Sequence, residues 1–407
     1  MGNSMTVNDY STHPNEELPK NWNAANFSET ILHQRVDVGN IKKQNYMETG
    51  KFPIIDQSQD YIVGYSNDET LVYDGELPII IFGDHTRIFK FIDFPFICGA
   101  DGTKVLQPNQ EIVNPEYFYF ALKSLNIPSK GYNRHYRLLK EQKIPIPPLP
   151  EQRAIASVLS TVRQAIEATE GVIATARELK RSMMKHLFTY GPVPVDQADK
   201  IELKKTEFGE VPKKWDVISI KDLGEVITGS TPNTKEEKYY GGKYRLISPA
   251  NLNENPYVDS AHRWLTEEGL EQSRVLPKDT VLVSCIGYIG KTGITKDEQS
   301  ATNQQINAVV CNEDSYPKFV YHALTNLQKY LENRARITTV PILNKTNFQN
   351  LKVTRPSYDV QLEIANILDA IVMKIKYETD VKSMLEELFH SLLHHLMSGK
   401  VRVSYEQ

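Results

Sequence analysis

Two stretches of this chain place apolar residues at alternating spacings of four and three positions, the pattern of a long helix with one apolar face. We predict the first helix over residues 151–190 and the second over residues 358–400. Thr169 and Lys180 interrupt the first series. The helices share their phase, because residues 209 positions apart correspond: Ile155, Leu159, Val162 and Ile166 match Ile364, Leu368, Ile371 and Ile375. Since an apolar face this long must be buried, we expect the helices to pack antiparallel against each other.

The segments before the helices are also repeated. A Pro-Lys-x-Trp pattern that ends at Trp22 returns 193 positions later at Trp215, so the second copy is 16 residues longer between this point and its helix. Short apolar runs bounded by Gly and Pro predict strands, such as the run from Leu77 to Gly83. The pattern between Asn114 and Leu125 predicts a short helix. The expected fold class is therefore α+β, with two mixed α/β domains, a coiled-coil spacer of two long antiparallel helices, and pseudo-two-fold symmetry.

The repeat gives the expected domain boundaries. We predict a disordered tail at residues 1–16, a first domain at 17–150, a first helix at 151–190 and a linker at 191–210. A second domain is predicted at residues 211–357, a second helix at 358–400 and a C-terminal tail at 401–407. The proline-rich segment from Ile144 to Pro150 cannot be helical inside, so we expect a stiff entry into the first helix.

Composition adds little to this picture. The 40% share of hydrophobic residues and the formal net charge of −4 are ordinary for a soluble protein. The sequence contains no apolar run long enough for a membrane span and no signal-peptide pattern, so we expect a cytoplasmic protein. The cysteines Cys98, Cys285 and Cys311 stand far apart and form no metal-binding pair motif, which fits a reducing compartment.

Positive charge is concentrated before each long helix. One basic stretch contains Lys130, Arg134, Arg137, Lys140 and Lys143, and the other contains Arg334, Arg336, Lys345, Lys352 and Arg355. Local patches of this kind can bind nucleic acid even when the net charge is negative. For each patch considered alone, the alternative interpretation is a solvated surface loop without a nucleic-acid ligand.

Three motifs resemble catalytic or metal sites but are better explained structurally. The segment from Gly287 to Gly293 fails the spacing of a phosphate-binding loop, and we predict a hairpin. Asn114 and Pro115 resemble part of an amino-methyltransferase motif, but they are typical of a helix start. His390 and His394 have a helical metal-binding spacing, but no third ligand is evident. The sequence therefore predicts no catalytic residues and no metal site.

The order of several segments resembles one protein family. Residues 206–226, which contain Phe-Gly-Glu-Val-Pro-Lys-Lys-Trp, resemble the opening of a target-recognition domain in type I restriction–modification specificity subunits. Ile144–Gln152 is similar to that family's entry into its spacer helix, and Leu392–Val403 is similar to its C-terminal end. The resemblance covers both halves of the chain.

The resemblance implies a non-enzymatic reader of double-stranded DNA that recognises a bipartite, asymmetric site. Two modification subunits would bring S-adenosylmethionine for adenine methylation, and restriction subunits would bring ATP and Mg, so this chain would bind no cofactor directly. Its location would be the prokaryotic cytoplasm, at the nucleoid. The helices would dock subunits around Ile155, Leu159, Val162, Ile166, Ile364, Leu368, Ile371 and Ile375. As rods of about 54 Å, they would also set the gap between half-sites.

The candidate DNA-binding residues combine basic, amide and aromatic groups, which can contact phosphates and base edges. In the first domain they are Lys104, Lys130, Tyr132, Asn133, Arg134 and Arg137; in the second they are Ser230, Thr231, Asn303, Gln304, Arg334 and Arg336. Asn303 and Gln304 could alternatively serve only to form a turn. Two other functions stay open: a coiled-coil scaffold that pairs two protein-binding domains without nucleic acid, and a self-contained methyltransferase or nucleotide-hydrolysing enzyme.

Overall fold

The structure is a computed structural model that describes residues 18–32, 40–99, 102–128, 131, 133–335 and 340–404. The chain divides into two compact units. Unit 1 contains the residues up to Thr169 and those from Val381 onward, and unit 2 contains Glu170–Asp380. Each long helix therefore contributes one half to each unit.

In the described residues of the first part of the chain, strands and two short helices precede the first long helix. In chain order the elements are β1 Asn23–Asn26, β2 Phe52–Ile55, β3 Gly64–Ser66, β4 Ile79–Gly83, β5 Phe89–Ile92, β6 Ile97–Cys98, β7 Thr103–Leu106, α1 Pro115–Ser124, α2 Tyr136–Lys140, β8 Lys143–Ile146 and the long helix α3 Leu149–Tyr190.

The second part repeats this order with additional elements. They are β9 Leu203–Thr206, β10 Gly209–Pro212, β11 Asp216–Ser219, β12 Gly224–Thr228, β13 Tyr240–Ile247, β14 Tyr257–Val258, β15 Arg263–Leu265, α4 Glu267–Glu271, β16 Leu276–Pro277, β17 Val281–Ser284, β18 Thr292–Thr295, β19 Gln299–Thr302, β20 Ile306–Cys311, α5 Pro317–Asn326, α6 Gln328–Arg334, α7 Lys345–Asn350, β21 Lys352–Arg355 and the long helix α8 Tyr358–Met397.

The sheets of the two units follow a related plan. In unit 1, β4 lies between β5 and β7 in one sheet, and β2 lies between β3 and β6 in another. In unit 2 the strand orders are β12-β20-β17-β18-β14 and β15-β13-β19-β16. An antiparallel pair closes each domain beside its long helix, β1 with β8 in unit 1 and β11 with β21 in unit 2. The mixed helix-and-sheet class and the internal repeat are both as predicted.

Each unit has a hydrophobic core to which both long helices contribute. In unit 1, Ile155 and Leu159 of α3 share a core with Phe389 and Leu393 of α8. In unit 2, other halves of the same helices meet, with residues such as Leu187 of α3 and Leu368 of α8 in one core. The start of one helix and the end of the other thus belong to the same unit, which is the predicted antiparallel arrangement.

A glutamine in the first turn of each long helix joins that helix to its domain. The Gln152 side chain accepts a hydrogen bond from the Asn114 backbone N–H at 2.7 Å and donates two to backbone carbonyls. Gln361 accepts one from the Tyr316 backbone N–H at 2.8 Å and also donates two. Both glutamines are buried. The hydrogen bonds fix the start of α1 to the start of α3, and the start of α5 to the start of α8.

Unit 1 has a second connection that unit 2 lacks. The fully buried Glu151 carboxylate accepts a hydrogen bond from the Trp22 indole N–H at 3.2 Å and pairs with Arg402 at 2.5 and 2.8 Å. The position that corresponds to Glu151 in the second copy is occupied by Val360. This buried ion pair ties the segment after α8 to the start of α3, a contact that the local pattern around Glu151 does not predict.

Several local predictions are confirmed. The run from Leu77 contains the completely buried strand β4, and Asn114 caps α1 by accepting a hydrogen bond from the Tyr117 N–H at 3.0 Å. Strands β17 and β18 form the predicted antiparallel hairpin. The proline-rich entry differs from the prediction, because it contains strand β8 and α3 already begins at Leu149. A strand tolerates Pro145 here because, among the strands that the structure describes, β8 pairs with β1 alone. Within the described part of the chain, no helix is long and apolar enough to cross a membrane.

Candidate nucleic-acid interface

A polar cleft of about 810 Å³ is a candidate recognition feature of unit 2. We call it the unit 2 cleft. Its lining is Thr231, Pro232, Asn233, Thr234, Leu246, Ser248, His262, Arg263, Asn303 and Gln304. The structure thus brings together three of the predicted DNA-binding residues, Thr231, Asn303 and Gln304, which lie on two separate segments of the chain. Sequence analysis missed the cleft residues Asn233, His262 and Arg263.

Two loops that follow strands β12 and β19 build this cleft. The Asn303 backbone N–H donates to the Ile247 carbonyl at 3.0 Å, and the Asn303 side chain accepts from the Gln305 N–H at 3.1 Å. The loops approach each other closely at Gly229, where a Cβ atom would lie only 2.2 Å from the Asn303 carbonyl oxygen. Glycine is therefore required at this position. Asn303 does form a turn, as the alternative explanation proposed, and it lines the cleft as well.

Gln304 is the better candidate for direct base contact. Its side-chain oxygen accepts a hydrogen bond from the Thr231 hydroxyl at 2.8 Å. This contact orients the amide group, while the side-chain NH₂ of Gln304 makes no hydrogen bond within the described residues. Gln304 is exposed. An oriented, exposed amide can present donors to the acceptor groups of a base edge.

Arg263 brings positive charge to the cleft. Arg263 is exposed, with its guanidinium 6.0 Å from the Tyr240 ring centre. Ser230, another predicted residue, lies beside the cleft, where its hydroxyl accepts a hydrogen bond from the Arg274 backbone N–H at 3.2 Å. No sequence signal distinguished Arg263, because its strand has the composition of an ordinary edge strand.

Arg334, a predicted basic residue of unit 2, does not line the cleft. Arg334 forms an ion pair with Glu207, and its guanidinium lies 5.2 Å from the Tyr330 ring centre. Burial above all, with a smaller effect of the Glu207 carboxylate, raises the pKa of Tyr330 to about 12. These contacts give Arg334 a structural partner. Arg336 lies outside the described residues.

In unit 1, Asp84 holds the predicted basic loop in place. Its side chain, 2% exposed, accepts hydrogen bonds at 2.8 Å from the backbone N–H groups of His135 and Tyr136, where α2 begins. The preceding residues Asn133 and Arg134 are exposed. A buried carboxylate thus positions two of the predicted contact residues, although Asp84 itself carried no sequence signal.

The Tyr136 ring lies near the ammonium groups of two lysines. Lys104 Nζ is 6.0 Å and Lys140 Nζ is 4.9 Å from the centre of its ring. Burial, with a smaller effect of Asp84, raises the pKa of Tyr136. The next residue, Arg137, has a side chain that is 90% exposed and forms a long contact of 3.4 Å with Glu141. Arg134 and Arg137 are thus exposed to a ligand and Lys104 is partly exposed, whereas Lys130 and Tyr132 lie outside the described residues.

The helix residues predicted to dock subunits occupy interior positions. Ile155, Leu159, Ile364 and Leu368 are fully buried, Ile375 is 6% exposed, and Val162, Ile166 and Ile371 are partly buried. A heptad pattern identifies the side chains that a helix buries, and here its own chain buries them. Other apolar residues of the two helices are exposed instead: Val172, Leu179, Met373, Tyr377, Met384 and Leu388.

The faces of the two units therefore offer positive charge and oriented amides. In the described part of the chain, no group of three or more His, Cys, Asp or Glu side chains is placed to hold a metal ion.

Comparison with known proteins gives the family. A family described as "Type I restriction modification DNA specificity domain" matches residues 36–177 and 212–387. The MjaIX specificity subunit of Methanocaldococcus jannaschii is 32% identical over 198 residues, 46% of each chain. The MjaVIII specificity subunit of the same organism is 23% identical over 412 residues, 95% of this chain and 94% of the relative.

The fold agrees with a solved structure. The S subunit of the type I restriction–modification system from M. genitalium superposes with a TM-score of 0.65 at 18% sequence identity, over 94% of this chain and 97% of the other. The two family matches cover most of the chain and coincide with its two halves. The chain therefore belongs to the type I restriction–modification DNA specificity family, and it is a non-catalytic specificity subunit of such a system.

Proposed function

We propose that this subunit reads a bipartite, asymmetric site in double-stranded DNA, with one half-site for each unit. The observation that carries this proposal is the pair of unlike polar faces on two similarly built units. Unit 2 offers the cleft with Gln304, Thr231 and Arg263. Unit 1 offers the loop with Asn133 and Arg134. Similar scaffolds with different contact groups fit two half-sites of different sequence.

Sequence recognition requires groups that discriminate base edges and groups that hold the backbone. In unit 2, the Gln304 amide, oriented by Thr231, would read a base, and Arg263 would contact a phosphate or a guanine. In unit 1, Asn133 and Arg134 would read bases, while Lys104 and Arg137 would contact phosphates. A scaffold of two protein-binding domains does not account for membership of a DNA specificity family.

The partners in this proposal are two modification subunits and the restriction subunits. The modification subunits would dock on the exposed faces of α3 and α8. Exposed apolar residues of α8 stand one helical turn apart within each unit, Met373 and Tyr377 in unit 2 and Met384 and Leu388 in unit 1. They would supply S-adenosylmethionine for adenine methylation, and the restriction subunits would use ATP and Mg. This chain would supply DNA sequence recognition and bind none of these cofactors itself.

Reconstitution with the modification subunit of the same system tests this function. Three samples are incubated with host DNA and S-adenosylmethionine: this chain alone, the modification subunit alone, and both together. We expect sequence-specific adenine methylation and specific DNA binding only from the combined sample. Methylation by this chain alone, or identical methylated sites with and without it, would contradict the proposal.

A further inference from the structure

Unit 2 contains a second cavity, of about 310 Å³, which is separate from the unit 2 cleft. We call it the helix cavity. It is lined by α3, by α8 and by the loop before β14. The lining residues that the argument below uses are Arg177, Lys180, Glu254, Val372, Ile375 and Thr379. Val372 and Ile375 give it an apolar side. Its volume lies at the lower end of the range for small-molecule sites, which is about 300–1,000 Å³.

The internal repeat shows what occupies the corresponding place in unit 1. Lys180 corresponds to Phe389, which is 6% exposed and whose ring centre lies 5.9 Å from that of Phe120. Val372 and Lys376 correspond to Arg163 and Glu167, at the same separation of 209 positions.

A second aromatic residue lies at this place in unit 1. The half-exposed Tyr61 lies close enough to Arg163 and Glu167 for both charges to affect its pKa, which burial above all raises to about 12. The Tyr61 ring also contacts Phe94 edge-on, with 6.2 Å between ring centres. Unit 1 therefore places its own aromatic rings where unit 2 has a cavity and a lysine.

The charged side chain of Lys180 distinguishes the helix cavity from an ordinary packing defect. Among the residues that the structure describes, Lys180 forms no ion pair, and the nearby Glu254 carboxylate is bound by Arg177 at 2.9 Å. Burial lowers the pKa of Lys180, and Glu254 opposes this effect only in part. An ammonium group beside apolar side chains is stabilised by an anion that approaches it.

We propose that the helix cavity binds a small aromatic anion, with its ring against Val372 and Ile375 and its acidic group on Lys180 Nζ. The ring would take the place that aromatic side chains occupy in unit 1. The acidic group would supply the counter-charge that Lys180 lacks. Such a ligand would contact α3, α8 and the loop of residues 253–255 at once, and would stabilise this part of unit 2. The proposal is independent of DNA recognition.

Isothermal titration calorimetry of the full chain with 2-naphthoate tests the proposal. 2-Naphthamide serves as the matched neutral ligand, because it has the same rings without the charge. We expect one 2-naphthoate per chain, bound at least about tenfold more tightly than 2-naphthamide. The absence of saturable binding of 2-naphthoate, or equal affinity for both compounds, would overturn the proposal.

Variants locate the binding to this cavity. Lys180→Met should weaken 2-naphthoate about tenfold and remove the preference over 2-naphthamide. Thr379→Trp, at an exposed lining position, should block both ligands by filling the space. Arg181→Met, an exposed neighbour on the same helix outside the lining, is the control and should bind as the unaltered chain does. Unchanged binding to a folded Lys180→Met or Thr379→Trp variant would overturn the assignment.

Discussion

The side-chain oxygen of Gln152 accepts a hydrogen bond from the backbone N–H of Asn114 at 2.7 Å. The same side chain donates to the carbonyls of Ile112 and Pro147 at 3.0 and 2.9 Å. Gln361 makes an equivalent set of three bonds in unit 2. A single side chain thus satisfies three backbone groups where each domain meets its long helix.

Replacement of either glutamine by leucine should therefore be costly. A backbone group left buried without a partner costs about 1–3 kcal/mol. In each set one bond is buried and the other two are part-buried, where water can replace the lost partner. We therefore expect Gln152→Leu and Gln361→Leu each to lower the free energy of unfolding by roughly 2–4 kcal/mol. Denaturant titration measures the change. Gln164→Leu, an exposed position on α3, is the control and should change stability little. Equal stability of all three variants would show that these hydrogen bonds are dispensable.

The paired glutamines also show what could be predicted from sequence. Gln152 and Gln361 could be aligned because both stand at the start of a long heptad series, and heptads report burial directly. Glu151 could not be predicted as buried, because its partner Arg402 is 251 positions away in the chain. Contacts between residues so distant in sequence depend on the completed fold rather than on a local pattern.

The candidate site was predictable only in part, for a related reason. Residue type correctly selected Gln304 and Thr231 as polar loop residues, but only the approach of two loops at Gly229 brings them together. Residue type also selected Arg334, whose charge is instead paired with Glu207. The break in the heptad at Lys180 was visible in the sequence, whereas the cavity beside it depends on three separate segments.

Unit 2 should lose stability on acidification through His322. Burial lowers the pKa of this histidine below its ordinary 6.5, although Asp369 accepts a hydrogen bond from it at 2.8 Å and opposes the shift. Burial alone would raise the pKa of Asp369, but His322 and Lys318 together hold it below its ordinary value. Both groups have a lower pKa in the folded state than in the unfolded state. For each group, the contribution to the free energy of unfolding is therefore complete at pH values above the pKa of the unfolded state, and it is lost as the pH falls below that value.

A double variant tests this pH dependence. His322→Phe with Asp369→Ser places in unit 2 the residues that unit 1 carries at the corresponding positions, Phe120 and Ser160. Urea unfolding should show a smaller loss of stability between about pH 7.5 and about pH 5.5 for the variant than for the unaltered chain. The same loss in both proteins would contradict a role for His322.

The length of the long helices should set the gap between half-sites. Deletion of residues 163–169 from α3 and of the corresponding residues 372–378 from α8 removes one heptad from each helix while the apolar phase is kept. Each helix becomes about 10 Å shorter, which corresponds to roughly three base pairs. Mapping of methylated sites should show a shorter gap between unchanged half-site sequences. A gap of the original length would refute this role of the helices.

The central claim is that the two units read different halves of one DNA site. It is tested most directly by single-molecule sequencing of methylated adenines in cells that carry the unaltered chain, Arg134→Ala or Gln304→Ala. We predict that Gln304→Ala relaxes base choice in one half-site only, that Arg134→Ala weakens or relaxes recognition of the other half only, and that neither changes the gap. Changes by both variants in the same half-site, or no change by either, would contradict the account.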